Sequence, residues 1–203
     1  MKTDRIADRD GAGAYETYSG IVNVAEIEHG SGFKELCRPC PTYGRNLACP
    51  PHSPSFEEFA GSAVAARVIC VRLPQPDAGC KAADRKTEEA FREAGDILKG
   101  MLLEYRAAGR RIAGAGPCRS CAQCAGENGQ DACRRTDDRI YSLESLGVNV
   151  VALSRRACGI DIEWASGSRK TAFIAAVGAV FFEKGDLPSD DVRRPTHTGE
   201  RDQ

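Results

Sequence analysis

The run GPCRSCAQC places Cys118, Cys121 and Cys124 at every third position, and Cys133 follows to complete C-x2-C-x2-C-x8-C. Core packing repeats at about 2 residues in a strand and about 3.6 in a helix. A thiol at every third position serves neither period. It does suit a shared ligand, because two-residue spacers let successive thiolates wrap around one metal centre. A fold that accommodates this segment has to leave it as a loop.

Gly114, Gly116, Gly126 and Gly129 give that loop turns that point N–H groups at sulfur. The bacterial ferredoxin spacing C-x2-C-x2-C-x3-C-P shares its first three positions with this run. Here the last spacer is longer and Arg134 stands in place of Pro, so Cys133 is available to the same cluster or to a neighbouring one. Zinc is the rival. Zinc sites usually pair two C-x2-C units across a longer loop, and a site drawing four thiolates from this run would take three that are crowded. Redox or merely structural thiols are a third reading. The spacing favours a 4Fe–4S cluster held by Cys118, Cys121, Cys124 and Cys133, with zinc as the alternative.

A second constellation, CRPCPTYGRNLACPPHSP, supplies Cys37, Cys40 and Cys49. Its C-x2-C-x8-C spacing recurs as Cys121, Cys124 and Cys133, with Ala before the last cysteine in both. Three thiolates are one short of a closed four-iron cluster. Either His52, Cys70, Cys80 or Cys158 supplies the fourth ligand, or one position stays open to a substrate, as in catalytic zinc sites. Blander readings stand beside these. Cys70 lies in a strand pattern and reads as a small buried hydrophobe; Cys80 reads as an incidental loop thiol, and Cys158 fits either role. His52 reads as a turn residue beside prolines, Tyr43 and Trp164 as packing residues, and His29 and His197 carry no motif. GAGAYETYSG is no phosphate loop, because no strand precedes it.

Compartment bears on all ten cysteines. The N-terminus lacks an apolar export segment, and no stretch of about 18 apolar residues occurs, so neither secretion nor a membrane span is expected. In the cytoplasm thiols stay reduced, which favours metal or redox chemistry over disulfides. The net charge of −1, with both signs mixed along the chain, points away from nucleic acid and lipid head groups.

At 203 residues the chain has room for one core. The expected organisation is a flexible segment at 1–18, a cysteine-rich metal-binding domain at 19–183 and a disordered tail at 184–203, the two ends being too polar to order themselves. Within the domain, IVNVAEI (21–27) and RVICVRL (67–73) read as strands. SFEEFAGSAVAA reads as a short helix capped by Ser55. Residues 87–108 read as a long one, with Phe91, Ala94, Leu98, Met101, Leu102 and Tyr105 on one stripe. YSLESLG reads as a short helix ended by Gly147, and VNVVALS and TAFIAAVGAVFF as strands, the latter with a helix as alternative. Strands alternating with helices predict an α/β or α+β single-sheet domain with flanking helices and two cysteine-rich loops.

Taken together, CRPCPTYGRNLACPPHSP, GAGPCRSCAQC, the AC at Cys133 and YSLESLGVNV resemble a family of predicted metal-binding proteins, domain of unknown function 2284, over residues 21–183. The resemblance implies metal, with iron–sulfur expected, at Cys37, Cys40, Cys49, Cys118, Cys121, Cys124 and Cys133, and it implies no particular reaction. Relatives commonly carry Pro three residues after the last cysteine, where this chain has Thr136. Three function classes follow. The first is an iron–sulfur protein passing electrons to a redox partner protein. The second is an enzyme using an open iron at the three-cysteine loop, although no nucleophile, paired-carboxylate or phosphate-loop arrangement accompanies it. The third is a zinc-stabilised binding module or metal carrier.

Overall fold

RVICVRL lies at the centre of the sheet, where its apolar middle, Val68 to Val71, has a use. The computed structural model describes residues 6–7, 15–74, 83–162 and 173–186. Within them β1 (Ile6–Ala7), β2 (Glu16–Asn23), β3 (Ala65–Pro74), β4 (Arg111–Ala113) and β5 (Phe173–Phe182) form one antiparallel sheet in the order β1-β2-β3-β5-β4. β3 pairs with β2 and β5 along its length, setting Cys70 opposite Tyr18 and Val177. Its side chains alternate between two cores: Ala66, Val68 and Cys70 enter one, and Ile69, Val71 and Leu73 the other. A strand covered on both faces gains little from polar residues, hence the apolar run Val68–Val71, flanked by the half-buried Arg67 and Arg72.

Each face has its own cover. Helix α3 (Ala83–Ala107) lays Ala94, Leu98, Met101 and Leu102 against one face, the stripe expected from the sequence. On the other face lie α2 (Phe56–Ala60), α4 (Val150–Cys158) and the turn at residues 142–147, through Phe56, Ala60, Leu143, Leu146, Leu153 and Ala157. Gly20 lets α4 approach β2, since a Cβ there would stand 1.9 Å from the Ala157 carbonyl oxygen. The architecture is the expected mixed sheet domain with flanking helices, and its wholly antiparallel pairing makes it α+β.

Three local expectations need correction. VNVVALS is not a strand: Asn149 caps α4 by accepting from the Ala152 N–H at 3.1 Å, and Val150, Leu153, Ser154, Ala157 and Cys158 form its buried face. That helical spacing outweighs the local valine content. YSLESLG is a turn: the Ser142 and Ser145 hydroxyls bond back to each other's backbone N–H groups at 3.1 Å, and a single helix-type bond, Leu146 N–H to Ser142 O at 3.1 Å, is not continued. IVNVAEI is strand only to Asn23, whose side chain caps a 3-10 turn at Val24–Glu26, while β2 starts earlier, at Glu16. Ser55 caps α2 as expected, through a capping box with Glu58, but the helix ends at Ala60, and Ala65 and Ala66 of the expected helix belong to β3. Cys80, Trp164, His197 and residues 187–203 of the tail lie outside the described residues. No helix among the described residues is long and apolar enough to cross a membrane.

Candidate metal centre

Both cysteine loops spring from one corner of the domain, and the turn at 142–147 closes the base of each. For the first, α1 (Ser31–Glu35) leads into the loop, Gly30 N–H donates to Gly147 O at 2.8 Å, and Ser53 Oγ donates to Ser145 O at 2.6 Å. Lys34 Nζ holds the returning strand of chain by donating to the Ser53 and Pro54 carbonyls at 2.9 and 3.0 Å. For the second, Gly114 N–H donates to Tyr141 O at 2.8 Å and Leu143 N–H to Gly114 O at 3.0 Å. Gly147 makes this possible by taking φ +84°, a conformation that a β-carbon disfavours.

The first loop is wound from short turns: Cys40 N–H donates to Cys37 O at 3.0 Å, Tyr43 to Cys40 O at 3.0 Å, and Cys49 to Asn46 O at 2.8 Å. Those turns bring one hydroxyl, Thr42 Oγ1, to 3.2 Å from Cys40 Sγ and 3.5 Å from Cys49 Sγ. Cys37 Sγ is 3.9 Å from Glu144 O, so the loop's first thiol rests on the 142–147 turn. Burial pushes the Cys49 thiol up to about 11 and raises that of Cys37, with the Glu144 carboxylate adding to the latter. Any metal held there would have to expel protons, so its occupancy would fall as pH falls.

The second loop puts Cys118, Cys121, Cys124 and Cys133 around one small hollow, together with Asn46, Leu47 and Ala48 of the first loop and Arg134, Arg135 and Arg139. The two loops are therefore spliced. Leu47 N–H donates to Cys124 Sγ at 3.4 Å, and Asn46 Nδ2 to Cys118 O at 3.1 Å. Gly126 permits the splice, as a Cβ there would lie 2.4 Å from Arg45 O. Ser120 Oγ bonds Asp138 O at 2.6 Å and Arg135 pairs with Asp138 at 2.6 Å, fixing the far side of the loop.

The structure thus brings the four cysteines of the second constellation together and sets the three of the first beside them. Among the described residues no three His, Cys, Asp or Glu side chains already converge tightly enough to hold a single ion. The donor set nevertheless fits a thiolate-held metal, since four sulfurs share one hollow and one of them receives a backbone N–H. Of the proposed fourth ligands for the first loop, Cys70 and Cys158 sit in the sheet core, 0% and 3% exposed. His52 is exposed, with Nε2 3.4 Å from Gly44 O. His29 is occupied by Ile27 O and Glu57, both at 2.8 Å. Sequence reasoning passed over Thr42, the Leu47 amide and Glu144. Only Thr42 had a signal, its place two residues after Cys40.

Two layers of helix around an antiparallel sheet, carrying two interlocked thiol loops at one corner, define a scaffold for holding metal. Residues 20–182 match the family described as predicted metal-binding protein (DUF2284), and the chain belongs to that family. No curated protein and no solved structure matches it.

Proposed function

We propose that the protein is an iron–sulfur protein with an electron-transfer role, holding a 4Fe–4S cluster on Cys118, Cys121, Cys124 and Cys133 and a second metal site on Cys37, Cys40 and Cys49. The observation that carries this reading is the hollow lined by all four thiols of the second loop, with the Leu47 N–H aimed at Cys124 Sγ. A bound cluster would supply reversible one-electron chemistry. The chain's part is to stabilise the added negative charge: the Leu47 amide does so at one sulfur, and Arg134, Arg135 and Arg139 do so from the rim. Arg134 and Arg135, the exposed arginines of that rim, offer an acidic partner protein a docking surface.

The test is iron, sulfide and zinc per chain on protein purified without oxygen, with visible spectra before and after dithionite. Iron with matching sulfide and a broad band that bleaches reversibly is the expected result. Stoichiometric zinc without iron overturns it and leaves a zinc-stabilised module or a carrier.

One observation favours a second reading, that of an enzyme. A cavity of about 580 Å³ adjoins the first loop, lined by Cys40, Thr42 and Glu144 and by apolar side chains including Phe91, Phe173 and Val177. That is room for a small organic substrate beside a metal. Small molecules that enter it should alter the electron paramagnetic resonance signal of the first site; a signal indifferent to every candidate removes this reading.

A further inference from the structure

We propose that Glu144 is the fourth ligand of the Cys37, Cys40 and Cys49 site. The inference rests on the reading that the first loop holds metal, and it supplies the donor that the cysteine spacing lacks.

Glu144 carries an anomaly that a metal would resolve. Its Oε2 is sealed from solvent and has no hydrogen-bond partner among the described residues; the other two such buried atoms, Arg67 Nε and Arg139 Nε, are donors. No ion pair of the described residues includes it. A carboxylate oxygen so placed costs free energy unless a cation or a donor meets it. The 142–147 turn fixes its backbone, with Gly147 N–H donating to Glu144 O at 3.0 Å. It is held in position with one oxygen unused.

Position supplies the second argument. Glu144 O receives the Cys37 thiol, and the Glu144 side chain shares the wall of the 580 Å³ cavity with Cys40 and Thr42. Thr42 Oγ1 in turn touches the sulfurs of Cys40 and Cys49. Of the three thiols, Cys40 lines that cavity beside Glu144, Cys37 meets the Glu144 carbonyl, and Cys49 is linked to Cys40 through Thr42. The alternatives fare worse: Cys70 and Cys158 are enclosed in the sheet core, with Cys158 Sγ turned to Tyr18 O and Val68 O. His52 is exposed, and Cys118 lines the other hollow with the remaining three cysteines of its loop.

Carboxylate oxygen is an ordinary ligand for zinc and iron but a harder donor than thiolate. A three-thiolate, one-carboxylate site has one exchangeable corner.

The experiment compares wild type with Glu144→Gln, Glu144→Cys, Cys37→Ser and Cys118→Ser, each full length and purified without oxygen, by iron and sulfide content and by the resonance spectrum after dithionite. Glu144→Gln keeps the shape of the side chain, so the second-site signal should persist while the first site loses about one to four irons. Glu144→Cys should restore the iron with a shifted first-site signal. If Cys37→Ser depletes iron but Glu144→Gln retains wild-type iron and spectrum, Glu144 is not a ligand although the loop holds metal. If Cys118→Ser alone empties the first site, Cys118 is the fourth ligand and the proposal fails. If neither Cys37→Ser nor Glu144→Gln changes the iron, the first loop holds none, and the underlying reading falls with the proposal.

Discussion

Cys70 and Cys124 are the same side chain in opposite company. Cys70 lies between β2 and β5 among Val68, Val177 and Ala179, fully enclosed, where sulfur serves as a small apolar group. Cys124 lines a hollow with three other thiols and receives a backbone N–H from a loop distant in sequence. Cys158 shares the first condition, and the loop cysteines share the second to differing degrees. The sheet excludes water and offers sulfur no donor beyond its own packing. The loops supply polar contacts and other sulfurs, so a thiolate is favoured there once a cation arrives. The role of a cysteine in this chain is set by the element that carries it.

Substitution should separate the two regions sharply. Cys121→Ser is expected to remove all metal from the second site, about four irons if a single cubane sits there, while the domain stays folded; metal analysis with circular dichroism checks both halves of the statement. Gly126→Ala pushes a Cβ to 2.4 Å from Arg45 O and should cost about 1–3 kcal/mol as the loops are forced apart. Urea unfolding measures that cost, and the same variant should lose second-site metal more readily to a chelator.

The two core thiols show themselves through pH. Burial pushes Cys70 and Cys158 up to about 12, against an unfolded value near 9. Between those values the folded protein binds more protons than the unfolded chain, so stability is complete below about pH 9 and falls as pH rises toward about 12. Each thiol contributes a loss of about 1.4 kcal/mol per pH unit in that window. Denaturation midpoints at pH 8 and 10 should reveal the slope, and Cys70→Val should remove its share of it without touching the metal. The smallest effect expected is that of Ser55→Ala, which breaks the α2 capping box for about 1 kcal/mol, seen as a lower melting temperature with metal content unchanged.

The sheet side of this comparison was largely legible in the sequence. β3 announces itself by its β-branched residues, β5 by its apolar run, α3 by its stripe, and α2 by Ser55, because each depends on neighbours close in the chain. α4 was obscured because its valines favour a strand locally, while the Asn149 cap and the 150, 153, 154, 157 spacing that decide the matter are subtler. The cysteine spacing marked the loops but not their splice. Leu47 is the donor to Cys124 through its backbone, which no side-chain pattern encodes. Glu144 was concealed for a related reason: its neighbour Cys37 lies 107 residues away, and the turn that presents it is made by serine side chains in a segment with a helix-like pattern.

The splice also has a schedule. Leu47 and Cys124 are separated by 77 residues, and a ribosome adding about 5–20 residues per second needs about 4–15 s to bridge that gap. Throughout that interval Cys37, Cys40 and Cys49 have left the decoding centre without the loop that packs against them, and Glu144 is made later still. A nascent chain in this state presents three thiols to whatever surrounds it, oxidant or metal alike. Faithful loading therefore depends on the cell keeping those sulfurs reduced until the second half of the protein arrives.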